Sequence, residues 1–226
     1  MSHGPTRAPA LAAVYEAVSE LVDSATEADF WRPTGCAAFS VQDLLFHQLL
    51  DAQRALRALA EPVQMTPDTD ATSYWQKFVA GQEPEDELAH VRFVRRSASA
   101  YERPADLVWH WAATASAAAS AARRADPDST VATQGHLMRV DDFLDTLVVE
   151  ATIHYWDLTL DLRTAPQIPA SALAVTVATL EQLVGVALPE DWDDEMVLVK
   201  TTGRYPLALH DRELLGDAAQ RIPVIR

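Results

Sequence analysis

The chain has 226 residues, of which 49% are hydrophobic and 23% are charged, and its formal net charge at pH 7 is −15. This length and composition exclude a largely disordered chain and predict one large domain, or one domain with a smaller appendix. The negative charge repels phosphate backbones, and no run of Lys or Arg offsets it locally. Binding to nucleic acid is therefore not expected.

The cysteine content and the lengths of the apolar stretches indicate in which cellular compartment the protein is expected. Cys36 is the single cysteine and cannot form an intrachain disulfide, which fits a reducing environment. We expect neither a signal peptide nor a membrane span, because the N-terminal residues lack an apolar core and the longest uncharged stretches, 107–122 and 164–180, are too short. The expected location is the cytoplasm, and the excess of arginine over lysine is typical of a high-GC bacterium such as an actinobacterium.

Apolar residues at helical spacing predict helices over most of the first 165 residues. The predicted segments are 9–28, 41–59, 73–79, 85–101, 105–124 and 140–162. Ser40 and Asp43 form a capping-box pattern at the start of the second segment, and we interpret Asp43 as a helix cap. The stretch 129–139 is predicted to be irregular or short and extended. The sequence thus predicts a helical bundle with one irregular connection.

The pattern changes after Pro166 and Pro169, which predict a domain boundary. A helix is predicted over 171–186, two strands over 196–202 and 205–210, and a last strand over 222–225. A segment this short can hold little core of its own, so we expect it to pack on the helices. The predicted organisation is a helical domain over residues 1–165 and a small α/β domain over residues 166–226.

Three charged or titratable side chains, Glu150, His154 and Asp157, interrupt the apolar window 147–160 of the predicted helix over 140–162. On an α-helix they share a strip about 60° wide, where a buried carboxylate and imidazole require each other or a cation. His47 likewise interrupts an apolar run. His47, Glu150 and His154 would form a metal-binding set with one open coordination position, which is typical of a catalytic metal. The alternative is a plain hydrogen bond between Glu150 and His154 in a helix interface.

Motifs spread along the chain are similar to those of one family. They are PTGC at 33–36, FSVQDLLFH at 39–47, FL at 143–144, EATIHYWDL at 150–158, TGRYPL at 202–207 and LG at 215–216. Together they resemble the mycothiol-dependent maleylpyruvate isomerase family over nearly the whole chain. Phe39 stands where the family usually has Trp, and His136 stands where a small residue is commoner.

The resemblance implies a fold and a set of metal ligands. The fold is a mainly α, DinB-like four-helix bundle followed by a small α/β C-terminal domain. The ligands of the family carry over to His47, Glu150 and His154, and the expected ion is a divalent metal, zinc. Neither of these two departures falls on a ligand position.

The chemistry that the resemblance implies is activation of a thiol, mycothiol, by the metal. In an isomerase, such as one acting on maleylpyruvate, the thiolate would add to a conjugated double bond and leave after rotation. In a transferase it would stay attached to the electrophile. A hydrolase using metal-bound water and a non-catalytic small-molecule binding module are the alternatives. The expected partners are small molecules, and the expected state is a monomer or a homodimer.

Two further residues complete the predicted site. Arg204, beside Gly203 in a tight turn, is expected to bind the anionic part of the thiol or substrate, because similar family members place an arginine facing the metal cleft. The alternative for Arg204 is an ordinary surface arginine. Asp157 is expected to orient a ligand imidazole or to form an interhelical hydrogen bond.

The remaining candidates are interpreted more simply. We interpret Cys36 as a small buried apolar residue rather than as a nucleophile. We expect His90 and His210 to have no partners for a ligand site. We therefore assign these three residues no place in the predicted site.

Overall fold

The computed structural model describes residues 7–81, 83–160, 162 and 167–225. Most of these residues are helical, and the predicted mainly α fold is confirmed. The helices are α1 (Arg7–Asp23), α2 (Val41–Ala60), α3 (Ala71–Ala80), α4 (Pro84–Ala98), α5 (Pro104–Arg124), α6 (Val140–Thr159), α7 (Ala170–Val184), α8 (Asp194–Thr201) and α9 (Leu209–Leu215). Short 3-10 helices cover Glu27–Trp31 and Gly216–Arg221. None of the helices in this described part is both long enough and apolar enough to cross a membrane.

Four long helices, α1, α2, α5 and α6, form the bundle. Both α5 and α6 pack against α1 and α2. Trp111 of α5 meets Tyr15 of α1 edge to face with ring centroids 5.2 Å apart, and its indole N–H donates to Ser19 Oγ at 3.0 Å. Helix α6 is buried on nearly every side by this core. Its few polar side chains are therefore held in fixed positions.

The first residues of α2 carry a complete capping box. Ser40 Oγ accepts a hydrogen bond from the backbone N–H of Asp43 at 3.2 Å, and Asp43 Oδ2 accepts one from the backbone N–H of Ser40 at 3.0 Å. The predicted helix over 41–59 agrees with the observed one to within a residue. The interpretation of Asp43 as a helix cap is confirmed.

A β-hairpin joins α5 to α6. Of the two alternatives predicted for residues 129–139, irregular or short and extended, the structure has the extended one. Strand β1 (Thr130–Thr133) pairs antiparallel with β2 (His136–Arg139). The two turn residues, Gln134 and Gly135, have positive φ angles of 46° and 81°, as tight two-residue hairpin turns require. The turn positions the Gln134 side chain beside the cleft described below. Helix α6 follows at once and ends at Thr159, three residues before the predicted end.

The C-terminal part is helical where strands were expected. Residues 196–202 fall mainly in α8, residues 205–210 lead into α9, and residues 222–225 form a loop, so the three strand predictions are wrong. The carboxylate of Asp193 caps α8 by accepting from the backbone N–H of Met196 at 2.8 Å. The apolar run after Asp193 is short, and a run of this length fits a buried helix as well as a strand.

The C-terminal part packs on the bundle through α7. This helix contacts α1, α3 and α6, and α8 packs in turn on α7. The boundary predicted after residue 165 lies outside the described residues. The division into domains 1–165 and 166–226 therefore stays a prediction.

We expect Ser40→Ala to lower the free energy of unfolding by about 1 kcal/mol, because it removes the acceptor for a backbone N–H at the start of α2. Ser116→Ala is the matched control, since Ser116 is exposed within α5, where alanine has the higher helix propensity. Urea denaturation followed by circular dichroism measures both changes. Equal effects of the two substitutions would contradict the role assigned to the cap.

Candidate metal centre

Three side chains from two helices converge where α2 faces α6. His47 Nε2 lies 3.0 Å from Glu150 Oε1, and His154 Nε2 lies 3.3 Å from the same oxygen. One ligand atom from each residue lies within 4.8 Å of the other two. Glu150 and His154 meet because they are one turn apart on the same face of α6. Two imidazole nitrogens and one carboxylate oxygen at these separations fit a shared divalent cation of the zinc type.

Burial and charge together set the protonation of this cluster. Burial opposes the charged form of Glu150, but the charge of His154 and hydrogen bonds from His154 and His47 hold the pKa of Glu150 well below its ordinary value. Burial also opposes charge on His154, but Glu150 and the hydrogen bond to Asp157 hold its pKa well above the ordinary value. Glu150 and His154 therefore form an ion pair, whose proton a metal cation would displace.

Asp157 and Arg204 hold the other nitrogen of His154. His154 Nδ1 lies 3.0 Å from Asp157 Oδ2, and Arg204 donates to both oxygens of Asp157, from Nε at 2.9 Å and from Nη2 at 2.7 Å. Burial raises the pKa of Asp157, but the hydrogen bonds from His154 and Arg204 outweigh it and hold the pKa below its ordinary value. A carboxylate acceptor at Nδ1 leaves His154 Nε2 directed at Glu150.

The Arg204 guanidinium is nearly fully engaged within the protein. Besides the two contacts with Asp157, its Nη1 donates to the carbonyl oxygen of Thr202 at 3.1 Å. Only 9% of the Arg204 side chain is exposed, so the alternative of an ordinary surface arginine is wrong. The expected role in binding an anionic ligand stays a prediction, and such a ligand would have to compete with Asp157.

The loop before α2 approaches Asp157 closely because it contains Gly35. The Gly35 N–H donates to the carbonyl oxygen of Asp157 at 3.0 Å, and a Cβ at this position would lie 2.5 Å from Asp157 Oδ1. Cys36 follows, with a ligand atom within 4.8 Å of His154 and Asp157. Burial raises the pKa of the Cys36 thiol, which favours its neutral form. Arg204 already holds both Asp157 oxygens, so this second group suits a cation poorly.

A cleft of about 580 Å³ is lined by His47 and Glu150. Its other described lining residues come from α2, α3, α4 and the hairpin. The described residues that line this cleft all precede residue 151, so none of them belongs to the C-terminal segment. The C-terminal part reaches the site from the opposite side of His154, through Arg204.

Sequence reasoning misses two residues that lie against His47. His90 of α4 has its Nε2 3.2 Å from His47 Nδ1, so the view that it lacks a partner is wrong. Asp51 of α2 has its Oδ2 3.9 Å from His47 Nε2. The spacing of four between His47 and Asp51 is a signal that could have found Asp51. His210, in contrast, is exposed on α9.

Comparison with known proteins identifies the bundle. A family model described as the mycothiol maleylpyruvate isomerase N-terminal domain matches residues 11–159, from α1 to the last residue of α6. The matched range contains all three candidate ligands. No curated protein and no solved structure matches the chain significantly. Because the match covers well over half of its length, the chain belongs to the mycothiol maleylpyruvate isomerase N-terminal domain family.

Proposed function

We propose that this protein is a metal-dependent enzyme that activates mycothiol for isomerisation of, or transfer to, a small electrophile such as maleylpyruvate. The observation that carries the proposal is the convergence of His47, Glu150 and His154 beside a cleft. Membership of the mycothiol maleylpyruvate isomerase N-terminal domain family supports the thiol and the reaction class. A zinc ion held by these residues would supply Lewis acidity that lowers the pKa of a thiol.

The residues around the proposed ion have different roles in holding it. Glu150 supplies negative charge, while His47 and His154 supply neutral nitrogens once the proton of their cluster has left. Asp157 accepts the Nδ1 hydrogen of His154 and so keeps Nε2 directed at the site. Arg204 is proposed as a positioning residue, because its two contacts hold Asp157 in place.

The cleft suits a small ligand with both apolar and polar parts. Trp75, Phe78 and Leu50 contribute apolar lining, and Arg54 and Lys77 contribute cationic groups. The volume of about 580 Å³ falls in the range of small-molecule sites, which supports small partners.

We expect purified wild-type protein to hold about one zinc ion per chain, and His47→Ala or His154→Ala to lose most of it, because each removes a nitrogen ligand. His210→Ala is the matched control and should keep the metal, since His210 is exposed on α9. Elemental analysis of dialysed protein purified without an affinity tag measures the content. Little metal in the wild type, or undiminished metal in His154→Ala, would remove the basis of the proposal.

Turnover is expected to require a low-molecular-weight thiol. Initial rates on maleylpyruvate and on other unsaturated dicarboxylates would be measured with and without mycothiol, using zinc-loaded and chelator-treated protein. We expect turnover only when zinc and thiol are both present. Equal rates without thiol would favour the hydrolase, and thiol binding without turnover of any electrophile would favour the binding module.

The substitution Arg204→Lys separates two roles of Arg204. Lysine keeps the charge but cannot make both contacts with Asp157, so we expect zinc affinity to fall about tenfold or more. Competition with a chromophoric chelator measures it, and Arg212→Lys, on the exposed face of α9, is the matched control. Unchanged zinc affinity with a KM for thiol or substrate raised about tenfold would instead support Arg204 as the anion receptor.

A further inference from the structure

Helix α4 lies antiparallel to α2 along one side of the candidate metal centre. Near the start of α2, Gln42 Nε2 donates to the carbonyl oxygen of Ala98 at the end of α4, at 2.8 Å. Further along α2, His47 meets His90, which is closer to the start of α4. His90 is four and eight residues before Val94 and Ala98, which are buried, so the three share one face of α4. The packing of α4 on α2 therefore fixes where His90 lies.

His90 and His47 meet through ring nitrogens that point at each other. His90 Nε2 lies 3.2 Å from His47 Nδ1, and the two ring planes are inclined at 81°. The ring centroids are 5.3 Å apart, which is close to the largest separation that two imidazoles in contact through these nitrogens can have. The contact is therefore in line, as a hydrogen bond requires, and is not a stacking of the rings.

The direction of this hydrogen bond follows from the role of His47 as a candidate ligand. Nε2 of His47 is the atom that faces Glu150 in the ligand set. If Nε2 binds a cation, the proton of the neutral ring has to be on Nδ1, which is then a donor. That donor needs an acceptor, and a neutral imidazole offers one at its unprotonated nitrogen. The nitrogen that is placed to accept is His90 Nε2.

We propose that His90 is a positioning residue that accepts the Nδ1 hydrogen of His47 and so keeps Nε2 of His47 directed at the metal. The inference rests on the proposed metal centre, and the contact is the counterpart of the one between Asp157 and His154. Acceptors of this kind fix the tautomer and the ring orientation of a ligand histidine and raise its basicity. Because His90 lines the cleft, the same bond ties this wall of the cleft to the metal centre.

Two substitutions of His90 isolate the hydrogen bond. Leucine removes the acceptor, whereas the amide oxygen of glutamine can take the place of Nε2, and both residues are good helix formers. We expect His90→Leu to lower zinc affinity about tenfold, the low end of the range for such partners, because His90 is exposed and water can partly replace it. His90→Gln should stay within about threefold of the wild type. Competition with a chromophoric chelator at about pH 8, above the ordinary pKa of an imidazole, measures the affinities.

His136→Leu is the matched control for this comparison. His136 is another imidazole that lines the cleft, but its described contacts are with Thr69 and Tyr74, so the variant should keep the wild-type zinc affinity. Equal zinc affinities of His90→Leu and wild type would contradict the inference and leave the metal centre intact. An equal loss in His90→Leu and His90→Gln would also contradict it, because the acceptor would not be what matters. A wild type that binds no zinc would remove the proposed function itself.

The Nδ1 hydrogen of His47 gives a direct readout that packing by His90 alone would not produce. In zinc-loaded protein with isotope-labelled histidine, NMR should show this N–H protected from exchange with water and close to the ring hydrogens beside His90 Nε2. The resonance should persist in His90→Gln and be lost to exchange in His90→Leu. Its persistence in His90→Leu would mean that another group accepts the hydrogen. Its absence from the zinc-loaded wild type would overturn the proposal even if neither variant folds.

Discussion

The buried carboxylate of Glu150 is the constraint on which the site depends. It interrupts α6, a helix that the bundle covers on nearly every side, and an unpaired charge there would be strongly destabilising. His47 and His154 compensate it at 3.0 and 3.3 Å. The charge of Glu150 is balanced by two imidazoles and not by an arginine. An imidazole can give up its proton, so a metal cation could take the place of that proton. The polar interruption of an apolar helix thus fits the proposed metal centre.

Alternating charges extend from Glu150 into the C-terminal part. His154 lies between Glu150 and Asp157, and Asp157 lies between His154 and Arg204. Each group balances the charge of the group before it and forms a hydrogen bond or ion pair with it, so the contacts depend on one another. Residues outside the bundle thus contact the site without lining the cleft. Arg204 fixes Asp157, and Asp157 fixes the ring of His154.

The parts of the site that could be predicted are those fixed by local geometry. Glu150 and His154 share a face of one helix at a spacing of four, and the cap at Ser40 sets the start of the helix that carries His47. His90 could not be predicted, because its contact with His47 depends on where α4 packs. The same holds for the hairpin residue Gln134, which meets Arg54 across 80 positions of sequence. Tertiary packing, not helical periodicity, brings these groups together.

The two candidate imidazole ligands differ in the residue that faces their Nδ1 atom, and this difference determines from which side a ligand can approach. His154 Nδ1 faces the ionised Asp157, which the buried Arg204 closes off. His47 Nδ1 faces His90 Nε2 on the side of α4, and burial and the neighbouring imidazole of His47 lower the pKa of His90. The ion pair between Asp157 and Arg204 therefore closes the site on the side of His154. A ligand has to approach from the side of His47, where α3, α4 and the hairpin line the cleft.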